Sequence, residues 1–210
     1  RKPEVKVSVE APADPIAVGD KFKAKVRADY YFGAPVAKGT VKYKVTRNRY
    51  VSNWVPPRYW DWFYGPGYWM FAYDAPWYPG WARWGMARVI FGGGGGVPEI
   101  VAEGEGSLDE DGTFEIEIDS AIAKALYPND DQKYDIEAQV VDESRRTIVG
   151  TGTVYAAREP FVTSAWFDRG YYRVGDKMTA SFNARRIDGK PVDGTAVVKL
   201  YRVTYEKSED

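Results

Sequence analysis

Apolar and polar residues alternate strictly over long stretches of the chain. In "KFKAKVRA", Phe22, Ala24, Val26 and Ala28 fall on one side and Lys21, Lys23, Lys25 and Arg27 on the other. The same period of two recurs in "VKVSV" (Val5, Val7, Val9) and "TVKYKVTR" (Val41, Tyr43, Val45). It returns in "TFEIEI" (Phe114, Ile116, Ile118) and "KYDIEAQV" (Tyr134, Ile136, Ala138, Val140), and "TIVGTGTVYA" supplies a further strand. Alternation at this period predicts strands with one buried and one wet face, the mark of antiparallel sheets. "DEDG" at 109–112 is a turn signal just ahead of a strand. One short helix is expected over 120–126, capped by Asp119 or Ser120. About seven strands with little helix predict an antiparallel β-sandwich of immunoglobulin-like architecture.

An internal repeat organises these strands. Val18-Gly19-Asp20-Lys21 aligns with Val174-Gly175-Asp176-Lys177, an offset of 156. Ala24, Ala28, Gly33, Pro35 and Val36 then meet Ala180, Ala184, Gly189, Pro191 and Val192 at the same offset. After a one-residue gap, Gly39-Thr40 meets Gly194-Thr195, and upstream "VKVSV" lies opposite "FVTSA". The arrangement predicts a tandem: a complete sandwich over 1–157, a short linker at 157–160, and the opening strands of a second over 159–210. A spacing of 156 exceeds the roughly 100 residues of a sandwich. An insertion over 48–98 accounts for the difference.

The insertion differs in composition from everything around it. Between Tyr50 and Phe91 there are seven Trp, six Tyr and three Phe in 42 residues, broken by Pro56, Pro57, Pro66, Pro76 and Pro79. Exposed Trp at such density would form an adhesive patch larger than monomers tolerate. The segment is therefore expected to fold into a compact aromatic mini-core, with a few rings left at its rim. Because Trp, Tyr and Arg dominate interface hot spots, Trp60, Trp62, Tyr68, Trp69, Trp77, Tyr78, Trp81 and Trp84 are the candidate protein-contact residues. A carbohydrate platform made of the same rings is the competing reading. "GGGGG" at 92–96 reads as a flexible return to the sheet.

Charge and chemistry narrow the function further. Lys and Arg number 29 against 30 Asp and Glu, a net charge of −1, which argues against nucleic-acid binding. No apolar run is long enough for a membrane-spanning helix. Cys and His are both absent, which removes thiolate nucleophiles, His-based triads and Cys- or His-ligated metals. A carboxylate-pair hydrolase is the remaining catalytic possibility. No catalytic, cofactor-binding or metal residue is assigned. Asp109 and Asp111 in "DEDG", and "PNDD" at 128–131, read as turns rather than a calcium loop, which would need a later bidentate Glu. The start at Arg1, with no leader ahead of it, fits a piece of a longer protein.

Taken in order, "ADYYFGAPVAKGTVKYKVTR", "SLDEDGTFEIEI", "QKYDIEAQVVDESRRTIVGTGTVYA" and "FDRGYYRVGDKMTASFNARRIDGKPVDG" resemble the successive strands of the macroglobulin-like domains of bacterial alpha-2-macroglobulins. The resemblance covers nearly all of the chain outside 48–98. It implies a non-catalytic scaffold within a large inhibitor that traps proteases by conformational change. It also implies a periplasmic, cell-surface or secreted location, in a parent that is often lipid-anchored. The partners implied are other domains of the same chain, and proteases through the full-length protein. A thioester of the Cys–Gln kind cannot lie in this segment, which has no cysteine. Typical domains of this kind lack the insertion.

Overall fold

The computed structural model describes residues 4–52, 54–57, 61–64, 97–142, 144–169 and 172–205. Two sheets face one another across a core. The smaller has the order β1 (Val5–Glu10), β3 (Lys21–Tyr30), β6 (Thr113–Asp119), all antiparallel. The larger runs β2 (Ile16–Ala17), β8 (Thr147–Ala157), β7 (Asp131–Val141), β4 (Thr40–Tyr50), β5 (Glu99–Ser107). Its pairs are antiparallel except the short β2–β8 contact. A separate hairpin joins β9 (Val162–Phe167) to β10 (Ala180–Arg185).

The alternating stripes meet in the core. Phe22, Ala24, Val26 and Ala28 of β3 and Ile116 and Ile118 of β6 are buried. They face Val41 and Val45 of β4 and Tyr134, Ile136, Ala138 and Val140 of β7. The Phe22 and Tyr134 rings meet edge-on at 5.4 Å, a favoured aromatic geometry. The polar stripes stay wet and pair across strands, as where Lys23 Nζ lies 2.7 Å from Glu115.

Two strands lie outside the alternation pattern. β2 is only two residues long. On β5, the inward positions Gly104 and Gly106 carry no side chain, and the rings of Tyr43 and Phe114 fill their place. A Cβ on Gly106 would sit 2.3 Å from the Phe114 ring. The apolar period is thus supplied by neighbouring strands. A related device closes the sandwich at β1 and β8. Gly150 and Gly152 lie against Val7 and Val9, where an added Cβ would come within 2.7 and 2.8 Å of a valine methyl.

The helix α2 (Ala121–Leu126) begins one residue later than expected. Asp119 Oδ1 accepts the Ala121 amide at 2.8 Å. Ser120 holds the N-cap position, but its side chain makes no cap hydrogen bond. Its fully buried hydroxyl donates to Asp20 O at 2.6 Å and accepts from Gly19 N at 2.8 Å, pinning the Val-Gly-Asp-Lys turn. The "DEDG" turn is closed by Asp109, whose two carboxylate oxygens accept the Asp111 and Thr113 amides and the Thr113 hydroxyl. Those bonds hold the Asp109 carboxyl below the usual aspartate range, the Thr113 hydroxyl contributing most. Gly112 is in the left-handed region at φ 71°, with Ala28 O only 2.6 Å from where a Cβ would stand.

Candidate contact surface at the insertion root and the junction

The two ends of the segment expected to be an insertion join adjacent strands. β4 continues to Tyr50 and β5 starts at Glu99, so the sheet continues two residues past Asn48. Arg47 is almost completely buried. It pairs with Glu99 on the neighbouring strand, and its guanidinium lies 5.0 Å from the centre of the Tyr127 ring. Arg49 pairs with Asp130 at 3.0 Å. A cavity of about 320 Å³ lies among these groups, and its cations are matched by its own carboxylates. Burial pushes the Tyr134 phenol up, while Arg47 acts in the opposite direction. The root is therefore a fixed platform.

Of the eight candidate contact residues, Trp62 lies within the described chain. It belongs to the short helix α1 (Asp61–Tyr64), is 75% exposed, and meets Phe63 edge-on at 5.5 Å. Phe63 is also exposed. Trp60, Tyr68, Trp69, Trp77, Tyr78, Trp81 and Trp84 lie outside the described residues, as does "GGGGG".

An aromatic contact to the second hairpin involves a residue outside the candidate set. Trp54 sits just past β4, where the Ser52 hydroxyl accepts its amide at 3.3 Å. Its ring packs edge-on against Trp166 of β9 at 5.6 Å, and the Arg185 guanidinium of β10 lies 5.5 Å from its centre. Arg185 is oriented by the Gly189 carbonyl, which accepts from Nη2 at 2.7 Å. Beside it, Arg186 reaches Asp14 at 2.8 Å and Asp188 at 2.5 Å. The bonds to Asp188 and then Asp14 raise the Arg186 pKa, and the Arg186 bond lowers that of Asp188. Between Ser52, Trp54, Asp131, Asn183 and Ile187 runs a cleft of about 190 Å³. Arg158 of the linker donates its amide to Asp131 Oδ1 at 2.7 Å. A cation against a Trp face and a T-shaped ring pair are each worth about 0.5–1.5 kcal/mol. Trp54 stood out in composition no more than its neighbours did; only the position of β9 and β10 marks it.

The second hairpin repeats the first. β1 pairs with β3 from Val5↔Tyr30 to Glu10↔Lys25, and β9 with β10 from Val162↔Arg185 to Phe167↔Ala180. An offset of 156 maps one register onto the other. The Asp29↔Pro35 bridge becomes Arg185↔Pro191, and the left-handed Gly19 and Gly33 become Gly175 and Gly189.

These features define a class: an antiparallel β-sandwich followed by a second hairpin built to the same register. No protein-family model matches the chain, and no curated protein matches it in sequence. Solved structures do match in fold. Escherichia coli alpha-2-macroglobulin in its native conformation superposes with a TM-score of 0.52 at 11% identity, over 89% of this chain and 11% of that one. The trypsin-activated E. coli protein gives 0.52 at 10% identity, over 89% and 12%. Salmonella alpha-2-macroglobulin reacted with methylamine gives 0.52 at 12% identity, over 91% and 12%. The chain thus has the fold of the macroglobulin-like domains of bacterial alpha-2-macroglobulins, and spans about an eighth of the length of those proteins.

Proposed function

We propose that the chain is a non-catalytic scaffold segment of a bacterial alpha-2-macroglobulin-like protease inhibitor, which traps proteases by changing conformation. The observation that carries the reading is the shared register of the two hairpins. It supports reading the chain as a sandwich over 1–157 and the opening of another over 159–210, in a fold whose solved counterparts are much longer. Rigid modules joined by small junctions suit a molecule that rearranges as a whole, because motion concentrates where little surface is buried. On this reading the protein is periplasmic, at the cell surface or secreted, and its partners are neighbouring domains and, through the full-length molecule, proteases. Among the described residues no helix is long and apolar enough to cross a membrane.

The test is to incubate the full-length protein with trypsin. The expected result is loss of activity on a large protein substrate with activity on a small peptide retained. Unchanged cleavage of the large substrate overturns the proposal. The exposed Trp62 and Phe63 favour a second reading, in which the insertion binds a carbohydrate or a partner protein. Glycan-array binding that Trp62→Ala abolishes would support its carbohydrate form.

A further inference from the structure

Residues 186–189 form the tight turn after β10, and they dock on the first sandwich. Arg186 and Lys190 converge on Asp14, Arg185 covers Trp54, and Ile187, only 9% exposed, lines the cleft shared with Ser52, Trp54 and Asp131. The first sandwich has the same turn after β3. In each copy the glycine amide bonds the residue three before it: Gly33 N to Tyr30 O at 2.7 Å, Gly189 N to Arg186 O at 3.0 Å. In each, the next valine returns to the strand: Val36 N to Ala28 O and Val192 N to Ala184 O, both at 2.9 Å.

At the offset of 156, Ile187 corresponds to Tyr31 and Asp188 to Phe32. Yet Tyr31 is 71% exposed and Phe32 is 70% exposed. Phe32 is held parallel to the Tyr30 ring, 5.2 Å apart with 3° between planes. The Tyr31 amide is fixed by Glu4 O at 2.9 Å. A held aromatic turn with no cover among the described residues has the character of an interface anchor, since little entropy is lost when it is buried.

We infer that this turn, centred on Tyr31 and Phe32, is the seat of a preceding β-sandwich module of the same polypeptide. That module meets it as Ser52, Trp54 and Asp131 meet residues 186–189. The chemistry of the partner follows from the differences between the two turns. Arg186 and Lys190, which hold Asp14, are replaced by Tyr30 and Ala34. The receiving surface is therefore apolar and aromatic and needs no acidic latch. The inference rests on the repeat and is independent of protease trapping, so the trypsin assay and the experiment below can fail separately.

The experiment is hydroxyl-radical footprinting of the 210-residue chain and of the full-length protein, with Ile187 as the internal reference. Tyr31 and Phe32 are expected to react about eightfold more slowly in the full-length protein, the ratio of the exposures of Tyr31 and Ile187. A benzophenone cross-linker placed at position 32 of the full-length protein is expected to capture a peptide N-terminal to Arg1. Equal reactivity in both proteins overturns the inference. So does a cross-link to residues beyond 210 or to a separate polypeptide.

Discussion

Val26 of β3 and Phe182 of β10 occupy the same place in two hairpins of one register. Val26 is completely buried and Phe182 is 52% exposed. The local pattern is alike; the difference is the opposing layer. β3 has β6 beside it and β4, β7 and β8 across the core. β9 and β10 form a two-stranded sheet among the described residues. The segment that follows, "TAVVKLYRVTY", corresponds to β4 in the repeat. There Val197, Leu200, Tyr201, Val203 and Tyr205 are all strongly exposed. β4 itself pairs on both edges, with β5 and β7. A strand's alternation says which residues could be buried, and tertiary packing decides whether they are.

The largest expected effect contrasts these two positions. Val26→Asp is expected to destabilise the 210-residue chain by at least about 4 kcal/mol, because it buries an unpaired carboxylate. Phe182→Asp should leave the main transition unmoved. Urea denaturation followed by circular dichroism checks both, and equal losses would break the contrast. Next is the close approach of β1 and β8. Gly150→Val is expected to cost about 1–3 kcal/mol in the same measurement, since methyl groups must enter space held by Val7. A matching change at Gly194, which has no neighbour within 4 Å of an added Cβ, should cost far less.

Trp54→Ala acts where the two regions meet. Melting of the first sandwich is expected to shift little, while limited proteolysis cuts the linker around residues 158–161 several-fold faster. Unaltered cleavage there would mean that Trp54 does not hold the second hairpin. A smaller effect concerns pH. The buried Asp142 is subject to a desolvation cost that raises its pKa. The Arg146 amide and guanidinium outweigh that cost and bring the carboxyl below the ordinary aspartate range. A depressed folded-state pKa means the stability it confers is present above the unfolded value and lost as pH falls through the folded one. Thermal melts should therefore weaken below the ordinary aspartate range, and Asp142→Asn should flatten that part of the profile. The smallest effect is at the wet face: removing Lys23 opposite Glu115 should leave the melting curve unchanged, as exposed ion pairs contribute little.

Much of the fold was legible because its strands are half-buried. β1, β3, β4, β6, β7 and β8 carry their own alternation, and the turn at Asp109 carries its own hydrogen-bond acceptors. β5 was not, because its inward glycines borrow bulk from Tyr43 and Phe114 on other strands. The candidate site was less legible. Composition singled out a stretch dense in Trp, and of its eight candidate residues Trp62 is described and is exposed. Trp54 has the same composition around it but is tied to Trp166 and Arg185, more than 100 positions away in sequence.

By itself, the sequence determined the two-faced strands, the turns and the repeat of 156, because side-chain period and turn chemistry are local properties. Only the tertiary structure decided which sheet each strand joins and where glycines let sheets touch. It alone showed that Ile187 is covered while Tyr31 is bare. Burial and contact depend on what lies across a core or a junction, and those neighbours are far away along the chain.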